Sequence, residues 1–133
     1  MPVFTDAIQG PVKSIFRRYR MTVQELTDSN IFTPLNVADG SREITKVFCC
    51  DLLSVAMSKA PSGGCWVTVM GNINTLAVAS LTDSACVVLA EGTLLDDAVI
   101  EKAKQQDITL FKTDMPIFEA CLKVHEMLRT VES

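Results

Sequence analysis

The sequence predicts an α/β protein, a three-layer α/β/α sandwich with a mostly parallel central sheet. Four short runs rich in Val, Ile, Ala and Cys recur at close spacing, and each is followed by small polar residues and a segment of helical character. Such alternation requires right-handed crossovers between neighbouring parallel strands. The runs are nearly continuous in apolar residues, which is typical of strands covered on both faces. They span Ile44–Cys50, Cys65–Met70, Ala85–Ala90 and Ile108–Phe111.

A short helix and an edge strand are predicted ahead of the first run. Thr22 and Glu25 have the spacing of a capping box, which predicts a helix over Val23–Thr27. The extended segment Phe32–Val37 contains Pro34, which cannot donate to a strand ladder. We therefore expect this segment at the edge of the sheet.

Each apolar run leads into a predicted helix. Asp51 has the position of an N-cap for a helix over Leu52–Ala60. The apolar stripe of this helix is Leu52, Ala56 and Ala60, with Leu53 and Met57 beside it. The later helices are expected over Thr75–Thr82, over Asp96–Gln105 and after Pro116.

Length and hydropathy favour one domain without a membrane span. The 133 residues are 48% hydrophobic, with a mean hydropathy of +0.27. No apolar stretch reaches the roughly 20 residues that cross a bilayer. The first residues lack a charged segment ahead of an apolar one, so no secretory signal is evident. We expect a cytoplasmic protein.

The cysteines indicate a reducing compartment and no metal site. Their number is odd, no two have C-x-x-C spacing, and the chain has a single histidine. Most lie within apolar runs, where free cysteine acts as a small buried hydrophobe. His125 shares a helix face with Cys121 and Leu128, which predicts a position at the edge of the core. The cysteines are Cys49, Cys50, Cys65, Cys86 and Cys121.

Charge divides the chain into a basic extension and an acidic domain. Residues 1–20 have a net charge of +3, which leaves −7 for residues 21–133 in a chain of net charge −4. An acidic domain is a poor partner for nucleic acid, because phosphate contacts need Lys and Arg. We expect residues 1–20 to lie outside the fold, with an arm packed on a partner subunit as the alternative.

The motifs of common enzyme classes are missing. The sequence contains no G-x-x-x-x-G-K-[ST], no G-x-G-x-x-G and no G-x-S-x-G. No nucleophile–base pair or metal set is visible. We therefore expect a protein that is not an enzyme and that needs no cofactor.

Polar residues collect where the predicted strands end. Ligands of open α/β sheets bind at the carboxyl ends of the strands, so these residues predict a site for a small anionic ligand such as a nucleotide. Each also has a structural interpretation: Asp51 and the two asparagines as helix caps, and Glu91 as part of a turn. The candidate ligand-binding residues are Asp51, Ser54, Asn72, Asn74, Glu91, Thr113 and Asp114.

One segment carries a family resemblance. Arg42-Glu43-Ile44-Thr45, followed by Val47-Phe48-Cys49-Cys50-Asp51-Leu52-Leu53-Ser54, resembles the stand-alone members of the DRTGG domain family, over roughly residues 21–131. Asp39, Arg42 and Thr45 match motif residues, although Gly40-Ser41 separates the first two and Lys46 and Val47 replace the family's glycines. The resemblance implies a fold like the N-terminal domain of HPr kinase/phosphorylase and a regulatory role without phosphotransfer. It also implies that Arg42 and Thr45 anchor a loop or a dimer.

Two functions are consistent with these observations. The first is a regulatory module that binds a small anionic ligand at the strand ends. The alternative is an interaction subunit that docks on a larger enzyme or kinase without binding any small molecule. The apolar segment from Leu76 to Leu81 favours a homodimer in either case.

Overall fold

The structure is a computed structural model, and it describes residues 21–130. This part of the chain alternates strands and helices in the order expected from the sequence. The elements are β1 (Met21–Thr22), α1 (Val23–Asp28), β2 (Thr33–Asn36), β3 (Glu43–Ile44), β4 (Lys46–Cys49), α2 (Leu53–Lys59), β5 (Gly64–Thr68), α3 (Ile73–Leu81), β6 (Cys86–Leu89), α4 (Asp97–Gln105), β7 (Leu110–Lys112) and α5 (Ile117–Thr130).

Five strands form the central sheet in the order β2-β7-β6-β5-β4. Strands β4 to β7 are parallel to their neighbours, and β2 pairs antiparallel with β7. Strands β1 and β3 form a separate antiparallel pair. Helices cover both faces of the sheet. The three-layer α/β/α sandwich with a mostly parallel sheet is therefore confirmed.

Two hydrophobic cores lie on opposite faces of the sheet. Along β5, Cys65 and Val67 face the core with α1 and α5, whereas Trp66 faces the core with α2, α3 and α4. This is the alternation that a strand imposes on its side chains. Each crossover moves one strand along the sheet in the same direction, so three right-handed crossovers place α2, α3 and α4 on one face.

The elements ahead of the parallel strands agree with their sequence signals. The Thr22 hydroxyl accepts a hydrogen bond from the Glu25 backbone N–H (3.1 Å), and Glu25 Oε1 accepts one from the Thr22 N–H (2.8 Å). This capping box begins α1 as predicted. Pro34 lies in β2, which is an edge strand with a register irregularity after Pro34. The predicted edge position is confirmed.

The first predicted strand and the helix after it need correction. Residues 43–49 form two strands that belong to different sheets, with Thr45 between them. Helix α2 begins at Leu53 with Leu52 as its N-cap residue, so the prediction of Asp51 as a helix cap is wrong. Leu52 is 59% exposed and Met57 50% exposed, and Ala56 alone is buried in this helix. The predicted apolar stripe of α2 therefore faces the core only in part: Ala56 is buried there and Leu53 packs beside it, whereas Leu52 and Met57 are exposed.

The cysteines differ in exposure. Cys65 and Cys86 are buried as predicted, whereas Cys49 is exposed. Burial, with the neighbouring Cys49 thiol second, raises the pKa of Cys121 to about 12. The hydrogen bond with Cys86, together with burial, raises the pKa of the Cys65 thiol. These two thiols are therefore protonated at neutral pH.

The prediction for His125 is wrong. His125 is exposed on α5, because Val124 and Leu128 fill the positions that face the core. Burial explains most of the apolar residues of α3: Leu76 and Ala79 lie in the core on the α2–α4 face, whereas Leu81 is 72% exposed. The homodimer that this segment favours stays a prediction.

The predictions about residues 1–20, both the basic extension and the arm on a partner subunit, lie outside the described residues. Within residues 21–130, no helix has the length and apolar character needed to cross a bilayer.

Candidate functional site

The strand connections create one crevice at the carboxyl edge of the sheet. The loops after β4, β5 and β6 lead to helices on one face, whereas the loop after β7 leads to α5 on the other face. Adjacent loops that diverge to opposite faces leave a crevice between them, and ligands of open α/β sheets bind there. The crevice of this protein therefore lies between the ends of β6 and β7.

A groove of about 480 Å³ occupies that position. It lies between the ends of β2 and β7, the loop after β6 and the first turns of α4. Its volume falls within the range of about 300–1,000 Å³ that is typical of small-molecule sites. The lining residues come from two separate parts of the chain, β2 and residues 92–114: Thr33, Leu35, Gly92, Thr93, Leu94, Leu95, Asp97, Ile100, Lys112, Thr113 and Asp114.

The inner part of the groove is apolar. Leu35 and Leu95 pack against the core that includes α4, and Ile100 is half-buried beside them. Leu94 stands at the rim and is 92% exposed. An exposed leucine next to a groove offers an apolar surface that a flat ligand could cover.

The outer part of the groove carries charge of both signs. Lys112, Asp97 and Asp114 are all exposed at its lining. Among the residues that the structure describes, none of the three has a hydrogen-bond or ion-pair partner for its side chain. These charged groups are therefore available to a ligand.

The loop after β6 is built around two residues with positive φ. Glu91 has φ +63° and Gly92 has φ +65°. The backbone N–H groups of Glu91 and Gly92 donate to the carbonyls of Met115 (2.8 Å) and Thr113 (3.0 Å). A Cβ on Gly92 would lie 3.1 Å from Asp114 Oδ1, so a side chain at position 92 would crowd this carboxylate. The tight turn thus fixes the two loops against each other.

Glu91 and Thr113 use their side chains within this turn. Glu91 Oε2 accepts a hydrogen bond from the Ile117 N–H (2.9 Å), which caps the first turn of α5. Thr113 Oγ1 accepts one from the Met115 N–H (3.2 Å). The turn interpretation of Glu91 is confirmed, and its carboxylate has a second role that the sequence did not reveal. Of the seven candidate residues, Thr113 and Asp114 line the groove.

Asp51 joins two loops at the far side of the same edge. Its Oδ1 accepts hydrogen bonds from the Thr68 hydroxyl (2.7 Å) and the Val69 N–H (3.0 Å). Ser54 is exposed in the first turn of α2. Neither residue lines the groove at the ends of β6 and β7.

Asn72 is the N-cap of α3. Its side-chain oxygen accepts hydrogen bonds from the N–H groups of Asn74 (3.0 Å) and Thr75 (3.1 Å). The capping interpretation of Asn72 is confirmed. Asn74 contributes its backbone N–H to the cap, and its side chain is exposed away from the groove lining. The end of α3 that could have received an anion is thus occupied by the protein's own side chain.

The three motif residues lie at the opposite, amino edge of the sheet. Arg42 forms an ion pair with Asp83, with both guanidinium–carboxylate distances at 3.0 Å, and also donates to the Asp83 carbonyl (2.9 Å). Ser62 donates to the same carboxylate (2.6 Å). The bond from Arg42, and then that from Ser62, holds the pKa of Asp83 below its usual value. Asp83 therefore connects three loops, through Arg42 and Ser62.

Thr45 and Asp39 make local contacts near that ion pair. Thr45 Oγ1 lies within hydrogen-bond distance of the Ser62 (3.3 Å) and Gly63 (3.4 Å) carbonyls. Asp39 accepts bonds from the hydroxyl and N–H of Ser41, which lower the pKa of Asp39. A shallow cavity of about 160 Å³ lies beside Asp39 and Arg42. The contacts of Arg42 and Thr45 are those of a loop anchor.

Among the groove residues that sequence reasoning missed are Thr33, Asp97 and Lys112. Lys112 immediately follows a predicted apolar strand, and the other candidates were chosen because they are polar residues in that position. Asp97 fits a helix dipole equally well, and Thr33 reaches the site through a pairing that is remote in sequence. Within residues 21–130, no three His, Cys, Asp or Glu side chains are arranged to hold a metal ion.

The fold is shared with a solved regulatory protein. No protein-family model matches the chain, and no curated protein matches it. A structure of the CBS and DRTGG domains of the regulatory region of Clostridium perfringens pyrophosphatase, complexed with the activator diadenosine tetraphosphate, matches with a TM-score of 0.65 and 15% identity. The match covers 100% of this chain and 56% of that chain. At this identity the likeness shows a common fold, and the likeness to HPr kinase stays a prediction.

Proposed function

We propose that this protein is a regulatory module that binds a small nucleotide-like ligand in the groove between the ends of β6 and β7. One observation carries the proposal: a groove of ligand size lies where the strand connections diverge. The structural neighbour is a regulatory region complexed with a nucleotide activator. That description belongs to the neighbour, and it supports a regulatory role for the same fold here.

The lining of the groove fits binding better than catalysis. Leu35, Leu94 and Ile100 can cover the face of a ring, and Lys112 can pair with an anion. Ligand sites usually combine an apolar lining with a few polar groups that orient the ligand. The described lining contains neither histidine nor cysteine, so the module is proposed to respond to a ligand without transforming it.

Isothermal titration calorimetry on the full chain tests the proposal. The ligands are nucleosides, nucleotides and common phosphometabolites, and the variants are Thr33→Trp, which fills the groove from an exposed strand position, and Ser58→Trp, an exposed control on α2. We expect at least one compound to bind the wild type and Ser58→Trp equally, and to lose binding to Thr33→Trp. Absence of binding by a folded sample across the panel contradicts the proposal.

A second candidate function is protein docking at β4. This strand forms the outer edge of the sheet and pairs only with β5 in the described part of the chain. Its unpaired backbone groups are a template for another strand. Helix α5 lies next to this strand, and its Phe118 is 71% exposed and its Leu122 40% exposed. An apolar cavity of about 400 Å³ lies between β4 and α5, next to Val47 and Leu128.

We assign this surface to a homodimer, with docking on a larger enzyme as the competing outcome. Two β4 strands paired antiparallel across a two-fold axis would cover the open edge and the exposed side chains of α5 together. Light scattering coupled to gel filtration should give a dimer for the wild type and a monomer for Phe118→Asp. The control is Leu94→Asp, which replaces a more exposed apolar side chain (92%) in the loop after β6, away from β4, and should stay dimeric. A monomeric wild type at high concentration contradicts the homodimer.

A further inference from the structure

We infer that the groove selects a ribonucleoside monophosphate, a ligand with free ribose hydroxyls and one phosphate, over nucleotides with longer phosphate chains. This inference rests on the proposed function and specifies its ligand class. It follows from the charges at the groove, from the hydrogen-bonding capacity of those charges and from the size of the groove.

The charges of the lining oppose a polyphosphate. Lys112 is the single cationic side chain that lines the groove, and Asp97 and Asp114 are two carboxylates beside it. Sites for triphosphates typically combine several cationic groups or a cradle of backbone N–H groups. Here one phosphate can pair with Lys112, while a second or third phosphate would meet carboxylates without a further cation. Negative charges that lie within one groove repel each other, so each added phosphate should weaken binding.

The two carboxylates are suited to hydroxyl groups. An ionised carboxylate only accepts hydrogen bonds, and it can accept two from neighbouring hydroxyls. A ribose offers such a pair, and acidic side chains near strand ends bind ribose in other open α/β sheets. Asp97 and Asp114 have no side-chain partner among the described residues, so they can accept these bonds without breaking existing ones.

The size of the groove points to one nucleoside. About 480 Å³ lies in the lower half of the usual range for small-molecule sites. The apolar surface from Leu35 to Ile100 provides one inner face, which can cover one base. A dinucleotide would leave its second base outside the groove.

Calorimetric titration of the full chain, without divalent cations, tests the selectivity. The probes are adenosine, AMP, 2′-deoxy-AMP and ATP, with the guanine, cytosine and uracil series alongside. We expect one ribonucleoside monophosphate to bind at least tenfold more tightly than its triphosphate and than its 2′-deoxy form. A triphosphate that binds as tightly as the monophosphate overturns the inference but leaves the proposed function intact. Absence of binding by every probe overturns both.

Matched charge variants assign the contacts. Lys112→Gln should reduce the affinity for the monophosphate to that for the nucleoside, and Lys59→Gln, at a basic residue of α2 outside the groove, should change neither. Asp97→Asn and Asp114→Asn should each reduce the preference for the monophosphate over the triphosphate. All of these residues are exposed, and the fluorescence of the buried Trp66 verifies folding. Selectivity that is unchanged in all three groove variants contradicts the assignment.

Discussion

Replacement of Asp51 by alanine should destabilise the fold, although Asp51 is exposed. Its Oδ1 accepts two hydrogen bonds, from the Thr68 hydroxyl at 2.7 Å and from the Val69 N–H at 3.0 Å. Hydrogen bonds to a charged group contribute about 1.5–3 kcal/mol each when protected from water, and solvent at an exposed carboxylate reduces this. We expect Asp51→Ala to lower the free energy of unfolding by about 2 kcal/mol.

Trp66 makes this change measurable. It is the only tryptophan, it is fully buried, and its indole N–H donates to the Cys50 carbonyl (3.0 Å) beside Asp51. Urea unfolding followed by tryptophan fluorescence therefore reports on the same region. For a domain of this size a loss of about 2 kcal/mol lowers the melting temperature by roughly 6–10 °C.

Two control variants separate the hydrogen bonds from other effects. Asp51→Asn keeps an oxygen acceptor, so its loss should be about half that of Asp51→Ala. Asp96→Ala removes another exposed aspartate, one whose side chain makes no capping hydrogen bond, and should cost less than about 1 kcal/mol. If Asp51→Ala costs no more than Asp96→Ala, the two hydrogen bonds are not stabilising and the structural role of Asp51 is refuted.

Three further predictions concern the loops. Asn72→Ala should cost about 1 kcal/mol in urea unfolding because α3 loses its cap, and Asn72→Asp, which keeps the cap, should cost less. The pKa of Asp83 is lowered in the folded protein, so the stabilisation by its ion pair with Arg42 is present at neutral pH and lost as the pH falls below about 4. The difference between wild type and Arg42→Ala in urea midpoint should accordingly be present in full at pH 6 and shrink as the pH falls below about 4, while the bond from Arg42 to the Asp83 carbonyl remains. Gly92→Ala forces a side chain into a positive-φ position beside Asp114 and should cost about 1 kcal/mol, whereas an unchanged midpoint would contradict the turn geometry.

Local sequence signals predicted most of the fold. The capping box at Thr22, the proline in the edge strand and the last three apolar runs of the parallel sheet each depend on a few adjacent residues, and each is confirmed. The predictions that are wrong concern features that depend on tertiary packing. Asp51 does not cap the helix after Cys50, because its side chain bonds to the neighbouring loop. Helix α3 buries most of an apolar surface that was interpreted as a docking face.

The sequence predicted that polar residues line a site at the carboxyl edge of the sheet, but it did not predict where along this edge the groove lies. The carboxyl edge of the sheet follows from the strand–helix alternation, and Thr113 and Asp114 were found through it. The position of the groove depends on which face each helix covers, and the change of face after β7 is not encoded in any local pattern. Lys112 and Thr33 meet through a strand pairing of remote segments, for which the sequence offers no periodicity.

The groove lies between β2 and a segment remote from it in sequence, residues 92–114, and this has a consequence for local unfolding. Its β2 wall belongs to an edge strand that includes a proline and a break in register, so β2 is held by few backbone hydrogen bonds. Strands of this kind open without global unfolding, and their amides exchange with solvent early. A ligand that contacts both Thr33 and Lys112 must suppress this opening. Slower hydrogen exchange in β2 would then report that the groove is occupied, and a more ordered β2 would distinguish the occupied protein at its surface.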